Sequence, residues 1–391
     1  MASRGKGLYL CMEKNLPFVF GICAENADFT NRHEETKQLI RNFEGGINTI
    51  LISPRRWGKT SLVAHVNAQL KRKNKKIRIC NLDLFSVRNE ADFYAQYSTA
   101  VLNAGGNKLA EAIDNARKYL GKLIPKISIS PDPNSEIAVS LDWKEVKKNP
   151  ADIMDLPEKI AKNKGIRMVV CMDEFQNIST FEDPLAFQKK FRSVIQKHKH
   201  VTYCFYGSKR HMLMEVFTKP SMPFYKFGDI IFLQKMTKET LSAFIQKRFR
   251  DTGKSISQAE ATNIALLADC HPYYTQQLAQ QAWLQTAKKC NMEIIQKSHE
   301  RMCDQFSLFF QSLTDSLSAT QVNFLEAFLN GESSMYATEI LQKYKLGTSA
   351  NVSKIKKALQ EKEIIDFLDE KPIILDPYYA YWLQKRYFKI H

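Results

Sequence analysis

The 391-residue sequence lacks any apolar run near the roughly 18 residues needed to cross a bilayer, and its start, MASRGKGLYLCMEKNLPF, is too short in apolar residues for a signal-peptide core. No membrane partner is expected, and the chain reads as cytoplasmic. Its eight cysteines form no CxxC pair and several sit inside apolar runs, which excludes a disulfide scaffold and fits reduced, buried thiols. His198, His200, Cys204 and His211 could be grouped as zinc ligands on paper. Cys204 falls in a strand-like run and the histidines flank it on a basic turn, so no zinc site is expected. There is no G-x-S-x-G nucleophile motif, no internal repeat and no low-complexity tract. Acids are scarce as well, 41 against 57 Lys and Arg, giving a formal charge of +16.

What is present is ordinary for a globular chain of two or three domains, with 44% hydrophobic and 25% charged residues. The positive charge is unevenly placed. Residues 51–100 hold ten Lys and Arg against three acids, and residues 201–250 hold nine against three, whereas 315–391 hold ten of each. The field therefore belongs to the segments around one loop and not to the C-terminal region.

Between about 48 and 235, short apolar runs alternate with longer amphipathic stretches, the pattern of a parallel sheet with crossover helices. The strand candidates are NTILIS (48–53), KIRICNLDL (76–84), RMVVCMDE (167–174), VTYCFYG (201–207) and DIIFLQ (229–234). ISISPDPNSEIAVSLDW (127–143) reads as an inserted hairpin. The expected domains are a core over 1–235, a helical domain over 236–314, and a winged helix-turn-helix over 315–391. In the last, EIIDFLDEKPIIL supplies the wing.

The stretch LISPRRWGKTSL (51–62) is nearly a G-x-x-x-x-G-K-[ST] phosphate loop, with Ser53 in place of the first glycine. It lies between a strand and an amphipathic helix, where such a loop must lie. Backbone N–H groups from Trp57 to Ser61 would face the phosphates of a nucleotide, Lys59 would reach the β- and γ-phosphates, and Thr60 would hold Mg²⁺. A chance helix-capping turn is the alternative. Gly58 keeps the place that needs a left-handed backbone, and Ser53 stands at the strand corner. About 110 residues on, VVCMDEF ends a strand in two acids: Asp173 for the Mg²⁺ shell and Glu174 to polarise a water for attack on the γ-phosphate. In VTYCFYGSKR, Ser208 or Arg210 is placed to sense the γ-phosphate or the water; alternatively Ser208 merely caps the following helix. The run KRKNKKIR (71–78) is either a solvated helix end or a nucleic-acid contact.

Together PRRWGKTSL, VVCMDEFQNI, YGSKRHML, MPFYKFGDI, CHPYYTQQLA (270–279), DPYYAYWL (376–383) and the lead FVFGICAENADFTNRHEE resemble the archaeal-type ATPases, a branch of the STAND NTPases within the AAA+ group. The resemblance covers nearly the whole chain. It implies an α/β fold class: an AAA+-like P-loop core with a parallel sheet, an all-α lid and a winged helix. It implies that Pro54, Arg55 and Arg56 are the family's PRR, that Phe29, Arg32 and Glu35 form an element near the adenine, and that His271 and Pro272 approach the nucleotide from the lid. His271 and Pro272 could equally be an ordinary helix start. Cys270 stands where a glycine usually precedes that histidine.

The leading expectation is an ATP- and Mg²⁺-dependent ATPase that works as a conformational switch, with ATP or ADP as ligand and a protein partner or homo-oligomer open. The alternatives are a DNA-binding protein regulated by ATP through its winged helix or basic core surface, and a nucleotide-binding module with negligible hydrolysis. In SANVSKIKKALQEK, Ser349, Asn351, Ser353, Lys354, Lys356 and Lys357 are the candidate DNA contacts, but the region's zero net charge favours a protein-contact role.

Overall fold

The computed structural model describes residues 16–25, 28–106, 109–121, 126–129, 137–368 and 371–390. The chain divides into two compact units, one of residues 31–234 and one combining residues 1–30 with 235–391.

The first unit is built on a five-stranded parallel sheet. Its strands are β1 (Thr49–Ile52), β2 (Ile77–Asp83), β5 (Arg167–Asp173), β6 (Val201–Gly207) and β7 (Asp229–Phe232), in the order β2-β5-β6-β1-β7. Every pairing is parallel, as near-continuous apolar runs require when both sheet faces are covered. Each predicted strand is found, trimmed by at most two residues at an end. Helix α1 (His33–Gly45) precedes β1, and α2 (Lys59–Lys73) follows it. The sheet buries an aromatic cluster in which Phe93 stacks on Tyr97 with ring centroids 5.5 Å apart, and Phe187 on Phe191 at 5.7 Å. Gly228 lets β7 start against β1, since a Cβ there would lie 2.3 Å from the Asn48 carbonyl oxygen.

The inserted hairpin is also found. β3 (Lys126–Ile129) pairs antiparallel with β4 (Ile137–Ser140), and the turn between them lies outside the described residues. β4 is pinned to the helix Glu90–Gly105 through side chains. Asn103 bonds both the N–H and the C=O of Ile137 at 3.0 Å, and Thr99 Oγ1 accepts from Val139 N–H at 3.0 Å. These bonds satisfy backbone groups that a two-stranded ribbon leaves open at its edge.

In the second unit the helices Lys238–Asp251, Gln258–Leu267, Pro272–Gln285 and Met292–Asp315 share one hydrophobic core with the C-terminal helices Ala319–Leu329, Ser349–Glu361 and Pro377–Trp382. The wing is the antiparallel pair β8 (Ile365–Leu368) and β9 (Lys371–Ile374). The N-terminal segment, expected with the α/β core, groups here instead. Phe18 packs 5.9 Å from the Phe249 ring and 6.1 Å from Phe244, its N–H reaches Gln280 Oε1 at 3.3 Å, and Asp28 pairs with Arg248. Among the described residues no helix is long and apolar enough to cross a membrane.

Candidate nucleotide site

The phosphate-loop stretch leaves β1 at Ser53, which is buried, and turns into α2 at Gly58. Gly58 has φ 87°, a left-handed conformation that favours glycine, and a Cβ there would meet open space. Backbone geometry, not crowding, is what requires glycine at this position. Gly58 is the N-cap of α2, and no side chain caps the helix there. Lys59 Nζ, almost fully buried, donates to Pro54 O at 2.8 Å and to Ser53 O at 3.0 Å. Ser53 thus contributes its carbonyl and hydroxyl to hold the lysine, a role that tolerates the loss of the first glycine. Arg55 and Arg56 are exposed on the loop, Arg56 with φ 62°, and Ser61 sits in the first turn of α2.

The parallel register then brings the acids to the loop. Thr60 Oγ1 donates to Asp173 Oδ2 at 2.8 Å, and Asp173 Oδ1 accepts from Glu174 N–H. Burial pushes the Asp173 carboxyl up to about 6, against the hydrogen bonds of Thr60 and Glu174 N–H; the charges of Glu174 and Asp83 add to the rise. A divalent cation would relieve that cost, and the hydroxyl–carboxylate pair is the hard-oxygen donor set Mg²⁺ takes. The residues present fit such an ion.

Glu174 sits in the left-handed region at φ 50°, strained for a side chain of its size. The turn aims its carboxylate at the end of β6. Oε2 accepts from Ser208 Oγ at 3.0 Å, from Ser208 N–H at 3.3 Å, and from the Gln176 amide. Gly207 makes this possible: a Cβ there would lie 1.9 Å from Gln176 Oε1 and 3.3 Å from Glu174 Cα. The structure therefore brings Ser208 to Glu174 and places Arg210 at the start of the next helix, its guanidinium 6.0 Å from the Phe232 ring. Gln176 was not singled out from the sequence as a partner of the acid. Its signal in the sequence is its place in the DEFQ of VVCMDEFQNI, two residues after the second carboxylate.

Arg32 is buried and itself left-handed at φ 64°. Its guanidinium donates to Gln234 O at 2.6 Å, Glu35 Oε1 at 3.0 Å and Trp57 O at 3.4 Å, so one fork ties the loop to the end of the sheet. Burial lowers its pKa, and Glu35 opposes that shift. Trp57 is itself buried. Phe29, His271 and Pro272 belong to the second unit. There His271 precedes the helix Pro272–Gln285 with its ring 5.0 Å from Tyr274, and Cys270 takes the φ of 52° that a glycine would hold more easily. His198 is engaged by Tyr203 and Asp155, and His200 by Glu158, while Cys204 is core.

A loop lysine, a strand-end pair of acids and a polar residue on the neighbouring strand, carried on a parallel sheet with the loop strand inside, define a P-loop NTPase of AAA+-like fold. The family described as "ATPase domain predominantly from Archaea" matches residues 29–278, and one described as "probable winged helix domain" matches residues 308–385. The chain belongs to that ATPase family and carries a C-terminal winged helix. Among solved structures it is similar to the Walker-type ATPase PABY2304 of Pyrococcus abyssi, 17% identical with TM-score 0.63, over 92% of this chain and 97% of that one. It is also similar to the Aeropyrum pernix ORC2 protein in ADPNP–ADP complexes, 13% identical with TM-score 0.55, over 89% and 90%. No curated protein matches.

Proposed function

We propose that this ATPase binds Mg²⁺-ATP at the loop and uses its hydrolysis as a conformational switch. The observation that carries the reading is the paired contact of Thr60 with Asp173 and of Glu174 with Ser208, which joins loop, acids and sensor position in one site. Lys59 and the N–H groups from Trp57 to Ser61 bind and orient the β- and γ-phosphates. Mg²⁺, held by Thr60 and Asp173, would neutralise charge on the β- and γ-oxygens. Glu174 polarises the attacking water, and Ser208 with Gln176 sets the direction of its carboxylate. Those two donors occupy Oε2 of Glu174, which leaves its other oxygen, Oε1, to accept from a water. Arg55, Arg56 and Arg210 add positive charge at the phosphate end, while Arg32 braces the loop through Trp57 O. The ADPNP and ADP of the ORC2 complexes support an adenine nucleotide as ligand.

The winged helix supports a second reading, in which nucleotide state controls a DNA contact, since Lys354 and Lys357 are exposed on the helix Ser349–Glu361. Phosphate release from Mg²⁺-ATP by wild type and Lys59→Ala, each with and without duplex DNA, tests both. Release that requires Lys59 upholds the ATPase switch, and a rate unchanged by DNA removes the second reading.

A further inference from the structure

A parallel sheet has two ends, and the nucleotide chemistry occupies only one. At the other end, where the strands begin, the fold gathers an excess of positive charge. The segment KRKNKKIR enters β2, with Arg72, Lys73, Lys75 and Lys76 exposed. KNKGIR enters the adjacent β5, bringing Lys162, Lys164 and Arg167. QKHKH enters β6, the next strand, with Lys197 and Lys199 exposed. These three entries contain no acid, and backbone bonds link them at this end: Arg167 N–H to Lys76 O and Met168 N–H to His200 O, both 2.9 Å. Neighbouring acids offset part of the charge: Glu44 pairs with Lys73 at 3.6 Å, Glu111 with Lys164, Asp155 with His198 at 3.1 Å, and Glu158 with His200, while Arg72, Lys75, Lys76, Lys197 and Lys199 stay exposed. Each entry follows the C-terminal end of a helix, where the dipole favours cations, and the parallel order of β2, β5 and β6 sets the three ends side by side.

We propose that this basic end of the sheet is a docking surface for the phosphate backbone of duplex DNA. Three strands at a spacing of about 4.8 Å give the basic entries a width near 10 Å, enough to meet several phosphates at one charge per roughly 1.7 Å of duplex axis. The three segments carry no Phe, Tyr or Trp, the side chains on which a single strand would stack its bases. Exposed large apolar residues here amount to Ile47, at 46%, among the described residues, which is too little to anchor in a lipid surface. The winged helix is a weaker source of backbone affinity, because 315–391 is neutral. Contacts of this kind neutralise phosphate without reading bases, so the binding is independent of sequence.

The test is fluorescence anisotropy of the full chain with a labelled duplex of about 30 base pairs, between about 50 and 200 mM salt. Lys73→Glu, Lys76→Glu and Lys199→Glu together are expected to weaken binding at least about tenfold and to flatten the log–log salt slope by about three phosphates. Phosphate release without DNA and the melting temperature stay unchanged, since these residues lie at the end of the sheet away from the loop. Lys354→Glu with Lys357→Glu is expected to cost much less. Should the triple variant fail to fold, Lys75→Gln with Lys76→Gln and Lys197→Gln reads the same loss. The proposal is overturned if wild type does not bind duplex at low salt, if the sheet-end variants keep full affinity, if the winged-helix pair alone abolishes it, or if phosphatidylserine vesicles bind and duplex does not.

Discussion

Thr60 Oγ1 lies 2.8 Å from Asp173 Oδ2, a hydrogen bond between residues 113 positions apart that fastens the loop helix α2 to the end of β5. If both groups hold one ion, their effects on Mg²⁺-ATP are not independent. Thr60→Ala and Asp173→Asn should each lower phosphate release by roughly ten- to a hundredfold, and the double variant should lose far less than the product of the two. Additive losses would mean that the pair does not act on a common ligand.

The raised pKa of Asp173 makes two pH dependences run in opposite directions. Its carboxyl titrates near 6 in the fold against 3.8 ordinarily, so between these values the folded chain binds more protons than the unfolded one. That contribution to stability is fully present below the ordinary value and is lost as pH rises through about 6. Mg²⁺ requires the ionised form, so the stabilisation by Mg²⁺-ATP should instead weaken as pH falls through about 6. Melting temperatures with and without Mg²⁺-ATP at about pH 5 and about pH 7.5 check both signs.

Gly207 is where the site is most crowded. Gly207→Ala would place a methyl 1.9 Å from Gln176 Oε1, so Gln176 must move and release its hold on Glu174. We expect a stability loss of about 1–3 kcal/mol together with a fall in phosphate release. Adding Gln176→Ser should restore stability but not rate, measured by urea denaturation and by phosphate release on the same preparations.

Arg32→Lys keeps the charge and removes the planar fork that reaches Gln234 O, Glu35 and Trp57 O. Losing these charge-assisted bonds, of which only that to Trp57 O is fully buried, should cost about 1–3 kcal/mol in urea denaturation. It should also weaken nucleotide binding through the displaced loop. A variant within about 0.5 kcal/mol of wild type would show that the fork does not organise the loop.

Much of this was legible beforehand because it rests on patterns that survive in one dimension. Runs such as RMVVCMD are apolar on both sides because helices cover both faces, and β5 spans those same seven residues. The helix, turn and wing signals after Ser318 likewise match local propensity. What escaped depends on backbone angles that no periodicity encodes. Glu174 and Arg32 are left-handed without being glycine, and it is those turns that aim a carboxylate at Ser208 and a guanidinium at two carbonyls. Phe18 was read with the α/β core because it precedes it in sequence, yet its ring packs against Phe244 and Phe249, more than two hundred residues away.

The most direct measurement of the central claim is Glu174→Gln compared with wild type for both nucleotide affinity and single-turnover phosphate release. The substitution keeps the size of the side chain and removes the carboxylate that would polarise water. The predicted result is Mg²⁺-ATP affinity within a few-fold of wild type and release slower by at least about a hundredfold. Equal release by the two proteins would contradict the assignment of this site as the place where ATP is cleaved.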